Sequence, residues 1–154
     1  MNNPNRFLIG FGIFVLVFAV VAVIVAVAGS RESVKLLSEN TSEGTVQRFL
    51  MAIKEKDYVK AYNFLSPQTE QMKGTSIDDW MRTTQYSGDD SSWKASIVRT
   101  MVKDDNATVE VAVDVFRPGG LFGNPVHTNR ITFLLKKEGS SWKINQPVDL
   151  WWLH

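Results

Sequence analysis

The sequence predicts an α+β protein: one N-terminal transmembrane helix, then three helices, then a four-stranded antiparallel curved sheet. Three observations predict it. Residues 7–28 carry no charge and no side-chain amide. Apolar residues between Val46 and Met81 recur at helical spacing, and from Ser92 onward they alternate with polar ones at period two. Helices first and consecutive strands afterwards are the pattern of an α+β domain with a meander.

The stretch Phe7 to Ala28, FLIGFGIFVLVFAVVAVIVAVA, is interrupted only by Gly10 and Gly12. As a helix at about 1.5 Å per residue it would be about 33 Å long, enough for a hydrocarbon core of about 30 Å. A helix of a soluble core would show a polar stripe, and this stretch has none. Ala26-Val27-Ala28 before Gly29 also fits a small-residue cleavage site, so an anchor and a cleaved signal are both readings. The length favours the anchor. Arg6 before the stretch and Arg31 and Lys35 after it nearly cancel as orientation signals, with Glu32 offsetting the latter pair. The expected organisation is a short tail at 1–6, a membrane span at 7–28, a juxtamembrane linker at 29–41 and one domain at 42–154.

In that domain, Asn40-Thr41-Ser42-Glu43 has the form of a capping box. Val46, Phe49, Leu50 and Ile53 then make one apolar face. Asp57 can cap a second helix carrying Tyr58, Ala61, Tyr62 and Leu65, which Ser66-Pro67 ends. Ser76-Ile77-Asp78-Asp79 starts a third, with Ile77, Trp80 and Met81 apolar, fading near Thr83 to Tyr86. Four strands follow, at about Ser92–Lys103, Thr108–Phe116, Thr128–Lys137 and Ser141–Val148. Val109, Val111, Val113 and Val115 share one face of the second strand, and Ile131, Phe133 and Leu135 share one face of the third. One apolar face per strand suits a sheet covered on one side by the helices.

Composition excludes several functions. The chain has 17 Lys and Arg against 16 Asp and Glu, and no cysteine. With Arg6 set aside the remainder is neutral and has no long basic run, which argues against a nucleic-acid partner. Disulfides, thiol catalysis and thiolate metal sites are ruled out. Phosphate-loop, dinucleotide and nucleophile-elbow motifs are missing, and no metal or cofactor is expected.

Residues 46–71, VQRFLMAIKEKDYVKAYNFLSPQTEQ, together with Trp142-Lys143-Ile144 after a Gly-Ser turn, resemble the nuclear transport factor 2-like superfamily. There a Phe/Leu-rich helix meets a Lys-Asp corner and a Tyr-x-x-Ala-Tyr-x-x-Leu-Ser-Pro helix follows. The resemblance covers about residues 42–150 and implies a cystatin-like cone of helices capped by a curved sheet around a cavity. It also implies the dimerisation common in that superfamily. The membrane stretch ahead of such a domain resembles its exported, membrane-anchored branch, placing the domain outside the cytoplasm.

Enzymes of that superfamily use an inward carboxylate or a His–Asp pair for proton transfer. Asp114 lies off the valine face and should point outward. Arg99 shares parity with Trp93, Ala95, Ile97 and Met101, so it should point inward unless a bulge shifts the strand. His127 has the parity of Ile131 and Phe133 near a cavity mouth. Arg99 and His127, with Tyr58, Tyr62 and Trp80 on the helices, are the candidate ligand-binding residues, although packing explains the three aromatics equally well. Leu121 and Phe122 in the Gly-rich loop, Leu134 on the outer sheet face with Val98 and Val102, and the terminal Trp151 and Trp152 are candidate contact residues. No residue is assigned a catalytic role. The expected function is a membrane-tethered, extracytoplasmic binding module whose partner is an envelope protein or a small apolar ligand. A cavity enzyme of ketosteroid isomerase or polyketide cyclase type and a dimerising scaffold are the alternatives.

Overall fold

The computed structural model describes residues 36–87, 92–116 and 126–153. The expected span 7–28, Leu121 and Phe122 lie outside the described residues, and among the described residues no helix is long and apolar enough to cross a membrane. The chain divides between Lys35 and Leu36, and the unit beginning at Leu36 contains three helices and a four-stranded antiparallel curved sheet.

Helix α1, Ser42–Lys54, is capped by Thr41, one residue later than the sequence suggests, with the Thr41 hydroxyl accepting from the Gly44 N–H at 3.1 Å. The reason lies at Gly44. The Ser38 carbonyl passes 1.9 Å from where a Cβ would stand, so only glycine allows the incoming chain to fold over the first turn. The Arg48 guanidinium donates to the Leu37 and Gly44 carbonyls and pairs with Glu39 at 3.2 Å. The Leu37 N–H donates to Gln47 Oε1. Residues 36–41 therefore belong to the folded unit.

Helix α2, Tyr58–Tyr62, is capped by Asp57 as expected, and Ser76 forms a reciprocal cap with Asp79 ahead of α3, Ile77–Ser87. Helix α2 stops short of Leu65 because the chain there turns to pair with the sheet. The Ser66 N–H donates to the Ile144 carbonyl, the Ile144 N–H donates to the Phe64 carbonyl, and the buried Ser66 hydroxyl donates to Glu138. These bonds clasp the helices to the sheet and satisfy the backbone groups released where the helix ends.

Strands β1 (Ser92–Lys103), β2 (Asn106–Phe116), β3 (Val126–Glu138) and β4 (Ser141–Gln146) pair in chain order. Strand β4 ends before Pro147, which has no N–H to give the ladder. The four β2 valines, Ile131, Phe133, Leu135 and Ile144 are all buried against α1. Asp114 lies off this face as expected and accepts from the Thr128 hydroxyl at 2.6 Å.

Strand β1 breaks the expected parity. Trp93, Ala95 and Ile97 pair with inward valines, but the register slips between Ile97 and Arg99, so that Arg99 faces Glu110. Val98 is the extra residue of a bulge, and beyond it the two faces exchange. Arg99 therefore stands outside, its side chain 66% exposed, and does not face the interior. Met101 moves to the outer face as well, opposite Thr108, which pairs on its other side with Leu134. Val102, expected outside, pairs instead with the inward Ala107.

Glu110 pairs with both Arg99 and Arg130 at 3.2 Å. Hydrogen bonds from Arg99 and then Arg130 hold its carboxyl below the usual glutamate value. A depressed carboxylate pKa adds stability that is present above the unfolded value and is lost as pH falls through the folded one. In a carboxyl NMR titration, Glu110 is expected to titrate below 4.5, and Arg99→Gln or Arg130→Gln should each move it upward.

Trp152 is fully buried in a terminal 3₁₀ turn, Trp151–Leu153, whereas its neighbour Trp151 is 59% exposed. Urea unfolding should show Trp152→Ala destabilised by about 3–5 kcal/mol, and Trp151→Ala changed by no more than about 0.5 kcal/mol.

Candidate functional site

A cone-shaped domain would hold a ligand over the inner face of its sheet. Trp152 is fully buried on that face, between Trp93 and Phe133. Its ring meets Trp93 edge-to-face at 5.9 Å and Phe133 at 6.2 Å, and Phe133 meets Phe49 of α1 at 6.0 Å. The Trp152 indole N–H donates to the Asp149 carbonyl, and its own carbonyl accepts from the Asn129 amide at 2.9 Å. The indole N–H and the carbonyl of this buried residue are therefore both satisfied by nearby groups.

The candidate ligand-binding residues do not converge here. Arg99 is on the opposite face of the sheet. His127 pairs with Val115 on the inner face, as its parity predicts, but it is exposed at the start of β3. Trp80 is buried and its indole N–H donates to the Val148 carbonyl at 2.7 Å. The Tyr62 hydroxyl donates to the Thr75 carbonyl at 2.9 Å, and its ring meets Trp80 at 5.7 Å. Those two side chains join α2 and α3 to the segment after β4. Tyr58 packs half-buried against the core. Lys54 lies over the Trp93 ring at 5.9 Å, closing the α1 side with a cation–π contact.

Among the described residues, two surface clefts bear on function. The larger, about 520 Å³, opens where the chain enters the domain, between Leu36–Asn40, α1, the end of α2 and the start of β4. Its walls combine the apolar Leu36, Met51, Phe64 and Trp142 with Arg48, Lys60 and Lys143, against the single carboxylate of Glu39. Arg48 spends its donors on holding residues 37–44, and Lys143 donates to the Asn63 carbonyl. Lys60, exposed on α2, supplies uncommitted positive charge at the rim. The smaller cleft, about 270 Å³, lies between β3 and residues 146–151 and is bordered by Trp151. Among the described residues no three His, Asp or Glu side chains gather as a metal ion would require.

The sequence reading missed both clefts. Leu36, Lys60 and Lys143 come from three distant segments, and nothing in their local spacing signals that they meet. Trp151 and Trp152 are adjacent residues of one type, and the sequence gives no sign of which turns inward. The 3₁₀ turn decides it.

No family model matches the sequence, and no curated protein matches it. Among solved structures, the chain is similar to a SEC-C motif-containing protein from Rhodopseudomonas palustris. The TM-score is 0.52 at 18% identity, over 71% of this chain and 79% of that one. It is also similar to an NTF2-like protein of unknown function from Burkholderia pseudomallei, with a TM-score of 0.46 at 12% identity, over 73% and 93% of the two chains. At 18% identity the first likeness is one of fold alone.

Proposed function

We propose that this chain is a membrane-tethered binding module without catalytic activity, a nuclear transport factor 2-like cone held outside the cytoplasm by residues 7–28 as a single-pass anchor. The observation that carries this reading is the position of Trp152. An isomerase or cyclase needs room in the cone and a proton-transfer group facing it. Here a fully buried indole lies on the inner face of the sheet between Trp93 and Phe133, Asp114 and Arg99 lie on the outer face, and His127 is exposed at a strand end. Binding is then a matter for the surface. The 520 Å³ cleft beside Leu36 supports an envelope protein as the partner, because it offers apolar walls together with a rim cation, as protein contact sites do.

A photocrosslinking residue in place of Lys60, in the full chain in native membranes, is expected to give one discrete protein adduct. Intact mass of the extracted chain should include residues 1–28. A mass beginning at Gly29 would remove the tether, and labelling of lipid alone would remove the binding role.

A second reading, a dimerising scaffold, is favoured by Val98, Met101, Phe116 and Leu134, large apolar side chains exposed on the sheet side away from the helices. If this face pairs two copies, Leu134→Glu should convert a dimer to a monomer in light scattering. An unchanged mass would count against that interface.

A further inference from the structure

We propose that the cleft beside Trp151 is a saccharide-binding site that seats an uncharged sugar ring against the exposed indole. The inference goes beyond the role assigned to the larger cleft and uses a different surface. Strand β4 pairs with β3 only over Leu134–Glu138. Past Gln146 the chain leaves the ladder and runs beside the rest of β3, where the Asn129 amide holds the Trp152 carbonyl. The gap between these segments forms the cleft, with Gln71 contributed from the connection between α2 and α3.

Three observations point to a sugar. Leu150, Trp152 and Leu153 are buried while Trp151 is left 59% exposed and borders the cleft, so its indole is available to a ligand seated there. The remaining lining is polar and able to form hydrogen bonds. Among the described residues the side chains of Gln71, Thr132, Gln146 and Asp149 have no partner of their own. Planar amides and a carboxylate can each bond two neighbouring hydroxyls, while the C–H edges of a sugar ring lie against the electron-rich indole face. Finally, the lining carries no formal net charge, since Arg130 and Asp149 are its two charged residues and have opposite signs. Arg130 is also held by Glu110 at 3.2 Å, so the cleft does not gather positive charge as a phosphate group would require. A neutral polyhydroxylated ring suits both the charge and the volume of about 270 Å³.

The test uses the full chain in phosphatidylcholine nanodiscs, which avoids sugar-headed detergents. Triacetylchitotriose, cellotriose and maltotriose are the probes, followed by saturation-transfer NMR and by the indole N–H resonance of Trp151. At least one probe is expected to bind and to shift that resonance, and Trp151→Ala and Gln146→Ala should each weaken it by about tenfold or more. Should Trp151→Ala fail to fold, Gln71→Ala, on a separate segment, carries the same expectation. Absence of saturation transfer from all three sugars at about 10 mM would overturn the proposal. So would a sugar that binds the substituted chains as tightly as the original.

Discussion

The structure depends on covering one face of a four-stranded sheet. Four consecutive inward valines on β2, with Ile131, Phe133, Leu135 and Ile144 beside them, form an apolar surface that cannot be left in water. Helix α1 covers part of it with Val46, Phe49, Leu50 and Ile53. The remainder is covered by the chain's own later residues, as Trp152 reaches back between Trp93 and Phe133. The clasp at Ser66, the Trp80 bond to Val148 and the Asn129 bond to Trp152 all serve to hold those covering elements in place.

This requirement also shapes what surface the domain can offer. A side chain that completes the core takes up interior volume, and the two clefts open at the surface. There the uncommitted groups are few and separated. Lys60 lies beside the segment where the chain enters the domain, and Trp151 with its amide neighbours lies along the unpaired part of β3. The outer sheet face is divided between the ion triad on Glu110 and the apolar residues around Leu134.

Periodicity made the fold class, the element order, strand β1 at full length and the Asp57 and Ser76 caps legible in the sequence. The bulge at Val98 was not legible, because one inserted residue leaves the alternation intact on either side while exchanging the faces. Simple parity alone puts Arg99 inward and Val102 outward, and a bulge of the kind allowed for at Arg99 reverses both. The shift of the cap to Thr41 depends on the passage of the Ser38 carbonyl over Gly44, a contact between segments rather than a local preference. Site residues were the least legible. Gln71, Arg130 and Gln146 are far apart in the chain, and only the path taken after Pro147 brings them to one cleft.

The position of Trp152 near the end of the described chain has a kinetic consequence. Its contacts with Trp93 and Phe133 join segments far apart in the chain, so forming them requires a long loop to be closed. Until then the valine face of β2 is incompletely covered. Contacts of such sequence separation carry a larger loop-closure cost than local ones, and a β-rich apolar face awaiting them is open to neighbouring chains. The same buried indole that completes the core thus ties protection of the valine face to closure of a long loop.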